Sequence, residues 1–181
     1  MFQILNKIRK TPRLVVSQSE LPELELEALG KEVSGAIKKL FRGSFAIRSV
    51  AAGSSNAEEQ ELTALSNTYY DIERFGIRFV ASPRHADALF VSGPVSRNMV
   101  QGLRHTYAAM PTPKLVVALG DGAIDGGVFK DSYAVVNRVD DVIPVDWKIP
   151  GDPPSPKQIL AALLRLFREM ERTADSLETK H

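Results

Sequence analysis

The sequence predicts a single α/β domain with a mostly parallel sheet. Short apolar segments alternate along the chain with amphipathic helical segments, which is the element order of parallel sheets. One apolar segment, Leu115–Leu119, carries no polar residue, as expected of a strand that is buried on both faces. The 181 residues, 44% of them hydrophobic, suffice for one core of ordinary size.

The first 43 residues are predicted to form a basic segment and then a helix, ahead of the α/β domain at 44–173. Residues 1–16 carry four basic side chains and no acidic one. This basic and apolar pattern favours an anionic membrane surface or a partner protein, and a frayed terminus explains it equally well. From Leu29 to Phe41, apolar residues recur every three or four positions, which predicts a helix over 24–42.

The elements of the α/β domain follow in order from apolar segments and helix signals. Strands are predicted at residues 45–50, 77–80, 88–91, 115–119 and 142–145, with helices at 57–66 and 99–110. Ser155 and Pro156 have the residue types of a helix N-cap and first position, so the last helix is expected to start there. The polar residues 174–181 are predicted to form a tail.

The composition excludes several classes of function. The chain has no cysteine, which rules out a disulfide framework, a thiolate nucleophile and a cysteine-ligated metal. It has only three histidines, and its formal net charge of +1 gives no general affinity for nucleic acid. No apolar run approaches the ~18 residues of a membrane span, and no signal peptide is recognisable, so a cytoplasmic location is predicted.

The loops beyond the carboxyl ends of the strands are the candidate site, because parallel sheets bind their ligands there. They are residues 51–56, 81–86, 92–96, 120–128 and 146–154. The stretch from Gly53 to Asn56 opens a helix after the first strand and could cradle a flavin or nucleotide phosphate. The glycine spacing at 120–127 is not that of a dinucleotide-binding loop.

Four motifs, in this order, resemble one known family. They are Tyr70 to Ile77 (YDIERFGI), Ala81 to Asp87 (ASPRHAD), Gly93 to Met99 (GPVSRNM) and the stretch from Val145 to Pro154. The chain thereby resembles the small cluster-bearing subunit shared by complex I, where it is the 20 kDa or B subunit, and membrane-bound nickel–iron hydrogenases. The resemblance covers residues 45–167 and is stronger to the formate hydrogenlyase-like branch. It implies a flavodoxin-like fold, with helices on both faces of a mostly parallel sheet.

The resemblance also bears on the cofactor, because this family holds a 4Fe–4S cluster on four cysteines. It places Ser55, Glu58, Gly122 and Asp152 at those four positions, which we call the vacated cluster positions. Iron–sulfur clusters need soft thiolate ligands, whereas these residues offer hard oxygens or, at the glycine, no side chain. No cofactor, metal or catalytic residue is therefore predicted for this chain.

Three interpretations of the vacated cluster positions are open. In the favoured one, Ser55 and Glu58 form a capping box, in which Ser55 accepts from the Glu58 amide and Glu58 reaches back to the Ser55 amide. In the second, the two acidic positions pair with Arg74 and Arg84 and replace the negative charge of a cluster. In the third, a hard cation is bound by loop carboxylates. Those carboxylates are Glu58, Asp121 and Asp152.

The resemblance further implies an assembly. It predicts that Arg74, Phe75, Arg84 and His85 line the site or face a hydrogenase-large-subunit-like partner, and that residues 1–16 lie toward membrane-arm subunits. The chain is thus predicted to be a cluster-less structural or regulatory subunit of a complex-I-like or group 4 hydrogenase-like oxidoreductase, peripheral on the inner face of the membrane. It is not expected to perform redox chemistry itself. The alternative is a free-standing module that binds a flavin or nucleotide.

Overall fold

The computed structural model describes residues 23–178, so the predicted basic segment at 1–16 lies outside the described residues. The strands are β1 Phe45–Ala51, β2 Ile77–Phe79, β3 Ala88–Ser92, β4 Leu115–Leu119 and β5 Trp147–Ile149. The helices are α1 Glu23–Phe41, α2 Ala57–Leu65, α3 Val100–Ala109, α4 Asp121–Asp125 and α5 Pro156–Glu178. Most strands and helices thus form where the apolar patterns predict them.

All five strands pair in parallel, in the spatial order β2-β1-β3-β4-β5, which confirms the predicted flavodoxin-like α/β fold. The chain places β2 on one side of β1 and β3 on the other, so the strand order reverses between β1 and β3. Ala51 lies level with Ser92 there, and the loops after both strands leave the sheet side by side. Such a switch point is where α/β sheets place their ligands.

Helices cover both faces of the sheet. Alternate residues of the central strands point to opposite sides, so each face carries apolar side chains for the helices to pack on. On one face, Phe45 and Ile47 of β1 pack with α1, α2 and α5. On the other face, Leu89 and Val91 of β3 pack with α3 and α4. The first core also holds Phe167 of α5, whose ring meets that of Phe45 edge-on with the centroids 5.0 Å apart.

The predicted strand at 142–145 is wrong, and the fifth strand is Trp147–Ile149 instead. Val142 and Ile143 donate from their amides to the Val139 carbonyl, at 2.9 and 3.0 Å, and so form a helical turn. In that turn, Ile143 is buried in the core that lies between the sheet and helices α3 and α4. A short apolar run has the same pattern in a strand and in a buried turn, so the sequence could not separate the two.

Helices α1 and α5 lie side by side on the first face, and ion pairs join their exposed rims. The pairs are Glu25 with Lys157, Glu32 with Arg168 and Lys39 with Glu171. Helix α5 continues to Glu178, beyond the predicted start of the tail, because no glycine or proline interrupts it there. Among the described helices, none combines the length and the apolar character that crossing a bilayer requires.

Candidate functional site

Four loops meet at the carboxyl edge of the sheet, one after each of β1, β3, β4 and β5. The loops after β1 and β3 touch backbone to backbone, since a Cβ on Gly93 would lie 2.3 Å from the Cα of Ser54. Two hydrogen bonds of 2.9 Å join the loops after β4 and β5. The Asp121 amide donates to the Gly151 carbonyl, and the Gly151 amide donates to the Asp121 carboxylate.

The four vacated cluster positions line a single cavity at this edge. Its volume is about 40 Å³, and Ser55, Glu58, Gly122 and Asp152 all contribute to its wall. The remaining wall comes from the loops after β3 and β4. The resemblance implies that these four positions lie together, and the structure brings them to one wall. The predicted loop at 81–86 is not part of the wall.

The residues around this cavity do not fit an iron–sulfur cluster. A Cβ added at Gly122 would lie 3.1 Å from Pro94 Cδ and 3.3 Å from Gly93 Cα, so a cysteine there would need these neighbours to shift by a few tenths of an ångström. The other three positions present hydroxyl or carboxylate oxygens in place of thiolates. A volume of about 40 Å³ has room for only a few water molecules.

Glu58 is the most heavily buried charged side chain of the site. It is 3% exposed, and its Oε2 has no hydrogen-bond partner. Its Oε1 lies so close to the main chain that a Cβ on Gly120 would be 2.5 Å away. Burial raises the pKa of Glu58, its own amide offsets part of this rise, and the carboxylates of Glu59, Asp152 and Asp121 raise the pKa further. Its environment therefore favours the neutral, protonated carboxyl.

The predicted capping box is wrong. Helix α2 does begin at Ala57, but its N-cap is Asn56 in the left-handed conformation, and no side chain of that residue caps the helix. The side chain of Glu58 is turned into the cavity wall, so it does not reach back to the exposed Ser55. Tertiary packing of the helix start has overridden the local capping pattern.

Glu59 ties the switch point together, which the sequence analysis missed. Its Oε1 accepts hydrogen bonds from Ser54 Oγ at 2.6 Å and from the hydroxyl of the buried Ser92. One carboxylate thus joins the loop after β1, the first turn of α2 and the end of β3. We call these contacts the serine clamp. Its only sequence signal is a hydroxyl residue near the end of each of two strands, which is too common to predict a contact.

The predicted pairing of the acidic vacated positions with two arginines is also wrong. Arg74 lies against α1, where its Nη1 is 3.0 Å from Glu27 Oε1 and its guanidinium sits 4.6 Å from the centroid of the Phe75 ring. Arg84 is exposed in a short 3-10 turn. Neither arginine contributes to the cavity wall.

The cation interpretation finds no support in the described part of the chain. No group of three or more acidic or histidine side chains is arranged there to hold a metal ion.

The predicted binding of a flavin or nucleotide phosphate by the loop at 53–56 is weakened by charge, because Glu58 and Glu59 both lie in the first turn of α2. Negative side chains at a helix N-terminus oppose the binding of an anionic phosphate there.

Three of the four predicted interface residues present surface to solvent. Arg84 and His85 are exposed side by side, and Arg74 is exposed beside α1. Phe75 is only 6% exposed and packs on Gly30 of α1, where any Cβ would collide with the ring. Phe75 therefore supports the Arg74 segment from beneath, and a partner role for the other three stays a prediction.

Exposed apolar side chains border the cavity on the loop after α4. Val128 and Phe129 belong to the cavity wall and are 88% and 50% exposed, and Tyr133 farther along the same loop is 90% exposed. We call these three residues the apolar patch. Large apolar side chains exposed together are typical of a contact surface. No periodic pattern marks them in the sequence, so only the structure reveals the patch.

A family comparison agrees with this geometry. The family model for the NADH ubiquinone oxidoreductase 20 Kd subunit matches residues 56–166. The chain belongs to this family. The match begins at the N-cap of α2, ends within α5 and includes three of the four vacated cluster positions.

Curated relatives of this chain include the B subunits of two oxidoreductases. A protein of Methanocaldococcus jannaschii without an assigned function is 44% identical over 131 residues, which are 72% of this chain and 88% of that protein. The B subunit of the NADH-quinone oxidoreductase of Citrifermentans bemidjiense is 46% identical, across 59% of this chain. The B subunit of the F420H2 dehydrogenase of Methanosarcina mazei is 39% identical, across 64% of this chain. The match spans only 62% of the length of each of these two relatives.

Two solved structures share the fold. A chain of the membrane-bound sulfane sulfur reductase, an archaeal respiratory membrane complex, matches with a TM-score of 0.63 and 30% identity, covering 84% of this chain and 77% of that one. A chain of an NAD+-reducing nickel–iron hydrogenase matches with a TM-score of 0.55 over 70% of this chain and 92% of that one. At 17% identity, the second likeness shows the fold alone.

Proposed function

We propose that this chain is a structural or regulatory subunit, without an iron–sulfur cluster, of a complex-I-like or hydrogenase-like membrane-associated oxidoreductase. Its named relatives are B subunits of such enzymes, and a chain of similar fold is part of a respiratory membrane complex. The observation that carries the proposal is the cavity at the vacated cluster positions. Its wall has lost the chemistry for a cluster while the fold around it is complete.

Hydrogen bonds supply the cross-links that a four-ligand cluster would otherwise make between these loops. The serine clamp joins the loop after β1 to the end of β3. The two bonds between Asp121 and Gly151 join the loops after β4 and β5. Hydrogen bonds to a charged group are worth about 1.5–3 kcal/mol each, so the edge keeps a defined shape without a cofactor.

The partner of this edge is a hydrogenase-large-subunit-like protein, and membrane-arm subunits complete the assembly. The apolar patch supports a docking role, because it exposes Val128 and the Phe129 ring at the cavity and Tyr133 farther along the same loop. The exposed Arg84 and His85 supply a second, polar contact area. No electron-transfer step is assigned to this chain, since its residues do not fit the redox group of the family.

The first experiment is purification of the tagged protein from its native cells after gentle solubilisation of the membranes. A large catalytic-type subunit and membrane-arm subunits should co-purify with it. Phe129→Asp should reduce this recovery at least tenfold, because it places a charge in the apolar patch. Gln101→Asp, at an exposed position of α3, is the matched control and should leave recovery unchanged.

Two results would contradict the proposal. One is recovery of the chain alone from the soluble fraction, with Phe129→Asp behaving like the wild type. The other is a stoichiometric content of iron and acid-labile sulfide on this chain, with an iron–sulfur signal in electron paramagnetic resonance. The assembly and the absence of a cluster are thereby tested separately.

A further inference from the structure

The part of the chain around helix α3 carries basic residues almost without acidic ones. From Ser82 to Gly120 the sequence holds four lysine or arginine residues, two histidines and a single acid, Asp87. The whole chain has 23 basic and 22 acidic residues, so this imbalance is local. The carboxylate of Asp87 is also already used, because its Oδ2 accepts a hydrogen bond of 2.7 Å from the Ala46 amide.

Most of these basic residues share one surface of the molecule. Three exposed side chains belong to α3 and to the 3-10 turn that leads into it. Two more belong to a second 3-10 turn, Pro83–His85, which contacts α3. Ala86, just after that turn, is buried in the same core as Leu103 of α3, so turn and helix lie on one side of the sheet. The five side chains, which we call the basic face, are Arg84, His85, Arg97, Arg104 and His105.

No acid of this chain neutralises the basic face. Among the residues that the structure describes, every ion pair lies elsewhere, and most acids near α1 and α5 are paired with a lysine or arginine. Protein surfaces usually intersperse charges of both signs. A set of exposed arginines without acids is typical of a surface whose opposite charges come from another molecule.

Two arginines of the basic face are arranged to bind carboxylates together. Arg97 and Arg104 are seven positions apart, so they lie on the same side of the helix, roughly 10 Å apart along its axis. Arg97 is held in place, because its Nε donates to the Tyr133 carbonyl at 2.6 Å. A guanidinium binds a carboxylate through two parallel hydrogen bonds, which a lysine cannot do.

The basic face is continuous with the apolar patch. Tyr133 belongs to that patch, and its carbonyl is the group that binds Arg97. An apolar centre with a charged rim is the usual anatomy of a protein–protein interface. The two surfaces can therefore serve one docking region.

We propose that the basic face docks an acidic segment of a neighbouring subunit, with two carboxylates roughly 10 Å apart that pair with Arg97 and Arg104. This inference rests on the proposed function, because it takes the partner from the same assembly. It adds the chemistry of the partner's surface and the two arginines that recognise it.

A membrane surface fits the basic face less well. The large apolar side chains that are exposed among the described residues lie elsewhere, at Tyr69 and in the apolar patch. Helix α3 instead buries its apolar residues, among them Leu103, in the core. Helices that lie on a bilayer need exposed apolar residues to insert into it, so an acidic protein surface is the better match.

The test introduces an amine at each of the two arginines in the tagged chain. Arg97→Lys and Arg104→Lys are purified with their native assembly and treated with a water-soluble carbodiimide. This reagent condenses an amine with a carboxylate that touches it and takes up the water that is lost. Mass spectrometry should find each new lysine joined to an aspartate or glutamate of another subunit. Arg165→Lys, at an exposed arginine of α5 on the opposite face of the sheet, is the matched control and should give no such product.

Charge reversal tests whether the contact contributes to assembly. Arg104→Glu should lower the recovery of the joined subunit at least tenfold at low salt, and Arg165→Glu should not. Changing the joined acid of the partner to arginine should restore the recovery with Arg104→Glu. Because Arg104 is exposed, its variants should melt like the wild type.

The inference is overturned, and the proposed function kept, if the assembly co-purifies but the new lysines join no carboxylate of another subunit. The same holds if Arg104→Glu leaves recovery unchanged, or if the charge swap fails to restore it. Binding of the purified chain to phosphatidylglycerol vesicles, lost in Arg104→Glu, would assign the face to lipid instead. Recovery of the wild-type chain alone would overturn both proposals.

Discussion

Two regions of the molecule differ in where their carboxylates lie. One is the face of the sheet that α1 and α5 cover, which we call the α1–α5 face, and the other is the carboxyl edge of the sheet. On the α1–α5 face, the interior is apolar and the acids stay on the rim, where Glu25 faces Lys157 and Glu32 faces Arg168. At the carboxyl edge, Glu58 is buried among other acids without a basic partner. A hydrogen bond and the charge of Lys157 lower the pKa of Glu25, whereas burial raises the pKa of Glu58.

This difference separates a region optimised for stability from one that is not. Burial of apolar rings and paired surface charges both favour the folded state. A buried carboxyl without a basic partner opposes it, and proteins retain such groups mostly at sites of function. The carboxyl edge therefore has the energetics of a functional site, and four changes test that interpretation.

The largest effect is expected on the α1–α5 face. Phe167→Ala removes a fully buried ring that touches Phe41 and Phe45, and should lower the free energy of unfolding by about 3–5 kcal/mol. Tyr133→Ala, in the exposed apolar patch, should change it by no more than about 0.5 kcal/mol. Urea denaturation of both variants measures the contrast. Equal losses would mean that the two regions contribute alike to stability.

A smaller loss is expected when the serine clamp is cut. Ser92→Ala removes one of the two hydroxyl donors to Glu59 at the switch point, and should cost about 2 kcal/mol. Thr106→Ala is the matched control, because that hydroxyl only bonds back to the Gly102 carbonyl within α3. Chemical denaturation should leave the control near the wild type. An unchanged Ser92→Ala would show that the clamp does not hold the edge.

Glu58→Gln should stabilise the protein. Because the folded pKa of Glu58 is raised, the wild type is most stable below the ordinary glutamate pKa and loses stability as the pH rises through the raised value. The glutamine variant should therefore be more stable than the wild type at pH 8 and equally stable at pH 4. Melting curves across this range test it, with Glu61→Gln on the same helix as control. A variant less stable than the wild type at pH 8 would show that the carboxylate is partnered after all.

The smallest effect is expected at the rim of α1. Since the hydrogen bond and charge of Lys157 lower the pKa of the fully exposed Glu25, this pair contributes stability above the ordinary glutamate pKa and loses it as the pH falls through the lowered value. Glu25→Gln should produce a slight loss near neutral pH that disappears in high salt, because salt screens exposed charges. Melting temperatures at low and high ionic strength measure it. A loss that persists in high salt would show that Glu25 acts through packing.

Much of the fold could be predicted from the sequence because its main signals are local. The alternation of apolar segments and helices, and the fully apolar strand Leu115–Leu119, depend on nearest neighbours along the chain. The wrong prediction of a strand at 142–145 has the same origin, because Ile143 is buried in a turn rather than in a strand. A local pattern of apolar residues indicates that a residue is buried, but it does not indicate which element the residue packs against.

The site was less predictable because its contacts join residues far apart in the chain. Glu58, the glutamate of the expected capping box, lines the cavity wall, and Glu59 of α2 binds Ser92 at the end of β3. Arg74 met Glu27 of α1, which lies 47 positions earlier, rather than the vacated cluster positions. No periodicity or spacing encodes such choices, which depend on how the elements pack.

The sequence by itself determined the α/β class and, through the absence of cysteine, the lack of any thiolate to hold a cluster. Both follow from residue type and local order alone. Only the tertiary structure decided that Glu58 is buried in the wall of the cavity at the vacated cluster positions, and that Glu59 joins Ser54 to Ser92. Burial and pairing are properties of the packed chain, because each depends on which distant atoms displace water from a side chain.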